Sequence, residues 1–213
     1  MKIGVFIRMQ YAEPISELRL RLFDQACKRS LLRQWYKDFD AWAVTSGMKW
    51  DGKPRVSAPN RANDAAIIAA SGGLRLRCGD IEEVPWGEYN VQARIDCDDY
   101  ASDGWLLKCA MEYQAMTADE MLLSFAPYRV DNGMIYGGTS EWHDKHPSMF
   151  PVLLQRNPRK SILKIGGHGR MHTFVPNVKH IPEGYCAWKT DCGDNFSAGS
   201  RMPDFAYSVK GTL

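Results

Sequence analysis

Three aspartates lie within four residues of one another in the stretch ARIDCDDY, at residues 93–100. The residues before them are β-branched and aromatic, which is typical of a strand, so the acids are expected where that strand ends. Carboxylates this close together repel each other and raise one another's pKa values unless a cation or hydrogen-bond donors intervene. The cluster therefore predicts either a turn in open water or a site for a hard divalent metal ion. The three acids are Asp96, Asp98 and Asp99.

The strand pattern also predicts which of these side chains share a face. Successive side chains of a strand point to opposite faces of the sheet. If the strand continues through the acids, Arg94, Asp96 and Asp98 share one face, while Ile95 and Cys97 lie on the other. One face of the strand end would then be charged and the other apolar.

The elements that must position the acids alternate between strands and helices. Strand patterns occur at residues 2–9, 39–45, 74–78 and just before the acids, helical patterns at 17–35, 62–70 and 103–116, and a loop pattern at 48–60. Ser16 is the expected cap of the first helix, and Ser102 or Asp103 that of the third, so the three acids are not needed for capping. This alternation predicts a largely parallel sheet with helices on both faces, whose ligands bind at the carboxyl ends of its strands.

After the third helix the pattern is weaker. Strands are expected at 121–127 and 128–136, with a turn signal at 131–133, then a short apolar element at 149–155 and a strand at 162–165. The remaining residues are rich in Gly, Pro, His and Trp and show little periodicity. No repeat or clean linker divides the chain, so we expect one domain over residues 1–213.

Composition restricts the partners and the compartment. A chain of 213 residues with a net charge of +2 and only short basic clusters is not expected to bind nucleic acid. Its six cysteines form no CxxC pair, and a protein of this size does not need disulfides for stability. The N-terminus lacks a signal-peptide pattern, and no apolar run is long enough to span a bilayer. We therefore expect reduced thiols, a cytoplasmic location and no transmembrane segment.

The order of these elements, with an acidic strand end, resembles a glycosyltransferase-A (Rossmann-like) fold. More narrowly, the chain resembles a rhamnosyltransferase family whose acidic motif reads Arg-x-Asp-x-Asp-Asp, and here Arg94, Asp96, Asp98 and Asp99 match that motif in register. A histidine near the C-terminus, His180, also resembles one of that family. The resemblance implies a single-domain α/β protein with a mixed, mostly parallel sheet flanked by helices.

The resemblance also implies an activity and a set of site residues. It implies a metal-dependent glycosyltransferase that moves a sugar, named as rhamnose only by the family, from a nucleotide-diphosphate donor to a glycan or lipid-linked acceptor. Mn²⁺ or Mg²⁺ would be held by Asp96 and Asp98, with His180 as a third ligand. Arg94, Asp96 and Asp99 would lie toward the donor nucleotide, with Arg94 orienting the carboxylates.

An inverting transferase needs a general base to deprotonate the acceptor hydroxyl, usually a carboxylate. The two candidates that we favour are Asp191 in WKTDCGDN and Glu141 in GGTSEWHD, with Asp144 and Asp194 as further possibilities. Each is also typical of a solvated loop acid. Two other classes of function stay open: a sugar- or partner-binding module without activity on the same fold, and a metal-dependent phosphoryl-transfer enzyme or nuclease built on the aspartates.

Overall fold

The computed structural model describes residues 1–9, 14–46, 48–50, 54–56, 60–131, 134–137, 150–165, 171–189 and 208–212. Strands and helices alternate through its N-terminal half. The elements there are β1 (Ile3–Arg8), α1 (Glu17–Phe23), α2 (Arg29–Arg33), β2 (Phe39–Val44), β3 (Met48–Trp50), β4 (Pro54–Val56), α3 (Ala62–Ser71), β5 (Leu76–Gly79), β6 (Val91–Asp96), β7 (Tyr100–Ala101) and α4 (Trp105–Ala115). A π-helical turn, Asp24–Lys28, joins α1 to α2 without a break.

The second half is richer in strands. Its elements are β8 (Glu120–Asp131), β9 (Met134–Gly137), β10 (Val152–Gln155), the short helix α5 (Met171–Phe174), β11 (Val178–Lys189) and β12 (Ser208–Thr212).

The main sheet is mixed, with a parallel region formed by the N-terminal strands. Its order is β12-β9-β8-β10-β6-β1-β2-β5, with β11 beside β8 and β7 beside β11. Strand β1 pairs in parallel with β2 and β6, and β2 pairs in parallel with β5. Strand β10 then joins β6 to β8 by antiparallel pairing. The predicted mixed α/β sheet flanked by helices is therefore confirmed.

Side chains of the central strands alternate between two apolar clusters. On one face, Ile3, Val5 and Ile7 of β1 pack with buried residues of α1 to α4, among them Phe23 and Trp105. On the other face, strand side chains pack against the loops, the turns and the short helix α5 that cover the sheet. Its members include Phe6, Trp42, Tyr89, Leu153, Ile162 and Met171. Because both faces are covered, the strands read as near-continuous apolar runs, as in buried parallel sheets.

The predicted capping residue is confirmed for α1 and wrong for α4. Ser16 Oγ accepts a hydrogen bond from the backbone N–H of Arg19 at 3.2 Å, which is the predicted cap of α1. Helix α4 instead follows Gly104, which makes no side-chain cap. Asp103 lies one residue before this cap position, and its carboxylate forms an ion pair with Arg33 at 3.1 Å.

The loop predicted at residues 48–60 contains a small antiparallel pair. Met48 lies opposite Val56 and Trp50 lies opposite Pro54, so that β3 and β4 form a separate two-stranded sheet. The sequence Asp51-Gly52 between them is a strong hairpin signal, which the polar composition of the segment obscures.

The strand predicted at 162–165 is wrong, because the chain turns there. The backbone N–H groups of Lys164 and Ile165 both donate to the carbonyl of Ser161. Buried Gln92 of β6 accepts from the N–H of Ile162 at 2.9 Å and donates to the carbonyl of Lys160 at 2.9 Å. A side-chain amide therefore satisfies backbone groups that a neighbouring strand would otherwise pair with.

The C-terminal segment without clear periodicity contains β11. This strand pairs in parallel with β8, but its register shifts between Ile181 and Cys186. Gly184 lies in that irregular region with a φ of 114°, a conformation that favours glycine. The shift breaks the alternation of side chains, which is why the strand pattern is weak in the sequence. In the described residues, no helix has the length and apolar character needed to cross a membrane.

Candidate active site

The acidic stretch lies where the sequence predicts it. Strand β6 lies between β1 and β10, in the interior of the sheet, and ends at Asp96. The carboxyl ends of β1, β2 and β5 lie at the same edge, because all four strands are parallel. Ligands of open α/β sheets bind at such an edge.

The sequence predicts that Arg94, Asp96 and Asp98 share one face of the strand. This prediction is wrong for Asp98. The strand ends at Asp96, and the N–H of Asp99 donates to the carbonyl of Asp96 at 3.1 Å, so residues 96–99 form a turn. Arg94 and Asp96 keep the strand alternation. Asp98 and Asp99 are turn residues, and both are more than nine-tenths buried. The chain therefore buries two acids that a solvated turn would expose.

Arg8 is paired with the first of the acids. Its Cα lies opposite that of Asp96 in the parallel pairing of β1 with β6, and its Nη2 lies 3.1 Å from Oδ2 of Asp96. The Arg8 side chain is 35% exposed and that of Asp96 is 26% exposed. This ion pair therefore reaches solvent at the carboxyl edge of the sheet.

A second arginine lies beneath the turn. Nη1 of Arg19, on α1, donates to Sγ of Cys97 at 3.1 Å, and both residues are buried. Cys97 belongs to the apolar cluster that contains Ile95, as the sequence predicts. Arg19 thus places a buried cation on the inner side of the acidic turn.

The acids influence one another's protonation. The pKa of Asp99 is raised well above its ordinary value, first by burial and then by the charges of Asp98 and Asp96. The Arg8 charge acts in the opposite direction and lowers the pKa of Asp99. Burial and the neighbouring acids therefore disfavour the ionised form of Asp99, and nearby positive charge favours it.

The chemistry of the acids suits a divalent cation. Their donors are carboxylate oxygens, the ligands that Mg²⁺ and Mn²⁺ prefer. Within the residues that the structure describes, no three His, Cys, Asp or Glu side chains converge on a single point that could hold a metal. This donor set matches an open site, where one or two carboxylates and oxygens of a bound phosphate would complete the shell.

Arg94 is a buried residue of the sheet interior. It lies opposite Phe6 in β1, and its backbone N–H donates to the carbonyl of Pro151 at 3.2 Å. Its side chain is 5% exposed, whereas that of Arg8 extends to the surface of the edge. The structure thus brings Arg94 and the three aspartates into one region but puts Arg8 in the more accessible position.

The structure places His180 apart from the acids. This exposed residue lies on β11 opposite Ser124 of β8, and β8 and β10 separate β11 from β6. Three strand spacings correspond to roughly 14 Å across the sheet. The part of β11 that approaches the acidic stretch is six residues later, where Cys186 pairs with Ala101 of β7. The structure thus gives no support to His180 as a ligand shared with the aspartates.

The predicted bases lie outside the described residues. This applies to Asp191 and Glu141, and equally to Asp144 and Asp194. Their roles remain predictions.

Polar residues that the sequence analysis did not select complete the edge. Thr45 and Ser46 follow β2 and are buried, and Ser46 Oγ accepts from the N–H of Ile81 at 2.7 Å. Arg8 and Arg19 are further site residues of this kind. Arg8 could have been recognised in the sequence, because it is a cation at the end of an apolar strand pattern and the strand pattern before Asp96 ends in an acid.

The protein has a glycosyltransferase-A-like α/β fold, a curled mixed sheet flanked by helices, with the acids at the carboxyl end of an interior strand. Among solved structures, the chain is similar to TarS from S. aureus. For residues 1–349 of TarS in complex with UDP-GlcNAc, the TM-score is 0.55 at 10% identity, over 92% of this chain and 62% of that one. For the same residues in complex with UDP, the TM-score is 0.50 at 11% identity, over 89% and 61%.

For the longer TarS structure the TM-score is 0.51 at 12% identity, over 89% of this chain and 37% of that one. The chain thus spans about three fifths of the TarS 1–349 structures and a smaller part of the longer one. At these identities the similarity shows the fold alone. No protein-family model matches the chain, and no curated protein matches it by sequence.

Proposed function

We propose that this protein is a metal-dependent glycosyltransferase that uses a nucleotide-diphosphate sugar as donor. The observation that carries the proposal is the buried acidic turn at the carboxyl end of β6, in the interior of a glycosyltransferase-A-like sheet. Solved structures of similar fold contain UDP-GlcNAc or UDP, which supports a nucleotide-sugar donor.

The aspartates would bind the donor through a cation. Asp96 and Asp98 would hold Mn²⁺ or Mg²⁺, and that cation would neutralise the charge that develops on the departing diphosphate. Asp99 would contribute negative charge from the buried side of the turn, and Arg94 would support the carboxylates from within the sheet. Because residues 96–99 form a hydrogen-bonded turn that β6 anchors, the carboxylates are positioned before the donor arrives.

The finer parts of the proposal come from the resemblance to the rhamnosyltransferase family. They are rhamnose as the sugar, a glycan or lipid-linked acceptor, and Asp191 or Glu141 as the base that deprotonates the acceptor hydroxyl. The cytoplasmic location follows from the scattered cysteines and is equally a prediction.

A binding module without catalytic activity is the second candidate. Two observations favour it: the described residues contain no converged metal-ligand group, and Asp96 is already paired with Arg8. Such a module would bind a sugar or a partner at this edge but would not cleave a donor.

Thermal melting of the whole chain with Mn²⁺ and a panel of nucleotide sugars tests the proposal. A transferase should show a rise in melting temperature with one donor class that requires the cation, because a ligand that binds the native state stabilises it. Release of free nucleoside diphosphate from that donor should follow on incubation. Binding without release would favour the module, and no shift with any donor or metal would contradict both.

A further inference from the structure

Arg8 and Asp96 form a partly exposed ion pair at the edge of the sheet. Their strands are adjacent and in register, and the Nη2–Oδ2 distance is 3.1 Å. Both side chains are partly exposed, at 35% and 26%, so a ligand can reach either of them. Arg19 and Arg94 are each 5% exposed, so Arg8 is the arginine beside the acids best placed to meet a ligand.

A cation and a guanidinium compete for the same carboxylate. While Oδ2 of Asp96 accepts from Arg8, a divalent cation that approaches this oxygen meets a fixed positive charge a few ångströms away. A diphosphate offers the guanidinium an alternative, since arginine binds phosphate oxygens through paired, charge-assisted hydrogen bonds. Movement of Arg8 from Asp96 to a diphosphate would leave the carboxylate available to the cation.

We propose that Arg8 is a positioning residue that couples cation binding to donor binding. Without donor, Arg8 neutralises Asp96 and keeps its affinity for divalent cations low. When a nucleoside diphosphate binds, Arg8 pairs with its phosphate oxygens and the cation takes the place of Arg8 on Asp96. The inference rests on the proposed function, because it requires the acidic turn to be the donor site.

The coupling has opposite consequences for two ligands. Removal of the Arg8 charge should strengthen cation binding in the absence of nucleotide, because the competitor is gone. It should weaken binding of the nucleoside diphosphate, because a charged hydrogen-bond donor is lost. A residue that merely stabilises the fold would weaken both or neither.

The test compares Arg8→Gln with the parent protein and with Arg33→Gln. Arg33 is a matched control, because its Nη2 also lies 3.1 Å from Oδ2 of an aspartate, Asp103, at a different site. Mn²⁺ binding is measured by electron paramagnetic resonance without nucleotide, and UDP binding by calorimetry at fixed Mn²⁺. For Arg8→Gln we expect Mn²⁺ alone to bind about fivefold tighter and UDP about tenfold weaker. Arg33→Gln should match the parent in both.

A second variant keeps the test decisive if Arg8→Gln does not fold. Arg8→Lys retains the charge but not the planar fork, so Mn²⁺ affinity should stay near that of the parent while UDP affinity falls. If the parent binds Mn²⁺ and UDP but the Arg8 variants bind both as the parent does, or lose both in parallel, this inference alone is overturned. If the parent binds neither ligand, the proposed function is overturned with it.

Discussion

The guanidinium of Arg19 donates to Sγ of Cys97 at 3.1 Å, and neither side chain is appreciably exposed. Burial raises the pKa of the Cys97 thiol, Asp98 and Asp96 raise it further, and the Arg19 charge lowers it. Arg19 therefore acts electrostatically on the same small region as the acids. It stabilises the acidic turn from the inner side, whereas Arg8 acts from the solvent side.

Replacement of this buried cation should destabilise the fold. For Arg19→Met, which keeps most of the aliphatic stem, we expect a loss of about 2 kcal/mol in the free energy of unfolding, typical of a lost hydrogen bond from a charged group. Urea denaturation measures it. Arg21→Met is the control, because Arg21 is an exposed residue of the same helix and its replacement should change stability by less than about 0.5 kcal/mol. Equal losses in the two variants would contradict the role given to Arg19.

The parallel part of the fold follows from local patterns in the sequence. Buried strands at β1, β2 and β6 read as apolar runs, and the helix from Ser16 has a favoured cap, so both its start and its packed face are visible. The end of β6 is visible for the same reason, because acids follow an apolar run. Predictions of this kind use residues that are close in sequence.

The missed features depend on contacts between distant residues. The turn near Ser161 is satisfied by Gln92, about seventy positions earlier, and no local pattern shows that a buried glutamine will replace a strand partner. The pairing of Arg8 with Asp96 likewise depends on which strands become neighbours and in which register. Strand β11 is obscured by its own irregularity near Gly184.

The Gln92 contacts predict a large effect from a small change. Gln92→Leu keeps a similar volume but leaves the N–H of Ile162 without its acceptor at 2.9 Å. It also removes one of two donors to the carbonyl of Lys160, which still accepts from the Gln155 amide at 2.8 Å. Buried backbone groups without partners cost about 1–3 kcal/mol each. We expect a loss of about 2 kcal/mol, measured by urea denaturation. A loss below about 1 kcal/mol would show that the turn at Ser161 does not depend on this amide.

Asp98→Asn tests the chemistry of the acidic turn. The substitution keeps the size of this buried side chain and removes one charge, and a hard cation strongly prefers an anionic oxygen. We expect the melting temperature without ligands to be unchanged or raised, because fewer acids crowd the turn. The additional rise produced by Mn²⁺ with a nucleotide sugar should disappear. Asp103→Asn serves as the control and should retain it; a shift in Asp98→Asn equal to that of the parent would place the site elsewhere.

The cysteines in the described residues should carry free thiols that do not react in the native protein. The five cysteines in the described residues are free, and burial raises the pKa of each, that of Cys78 to about 12 and those of Cys27, Cys97, Cys109 and Cys186 also upward. Only the thiolate reacts with iodoacetamide. In a Cys192→Ser background at pH 8, we expect mass spectrometry to detect no label within minutes, and five labels in urea.

The parent protein provides the complementary thiol count. Under denaturing, non-reducing conditions it should show six free thiols, as expected for a reducing compartment. Fewer than six would contradict that location. Rapid labelling of native Cys97 or Cys109 would contradict their burial.

Asp99 should make stability depend on pH. Its pKa in the folded state is raised above the ordinary value of 3.8, chiefly by burial and then by Asp98 and Asp96, so the folded protein holds this proton more tightly than the unfolded chain. Wherever the folded state binds more protons, stability falls as pH rises. The contribution of Asp99 is therefore fully present below about pH 3.8 and is lost as the pH rises through the raised value.

Asp99→Asn removes this titration and should be the more stable protein near neutral pH. With EDTA present, urea denaturation from pH 4 to pH 8 should show the parent losing stability relative to the variant, by at most about 1.4 kcal/mol per pH unit for one proton. The difference between the two should shrink toward pH 4, where the parent carboxyl is protonated. Mn²⁺ with a bound donor should reverse the order near pH 7, because the cation then stabilises the ionised acids. A difference between the two proteins that does not change with pH would mean that burial and the neighbouring acids do not raise the pKa of Asp99.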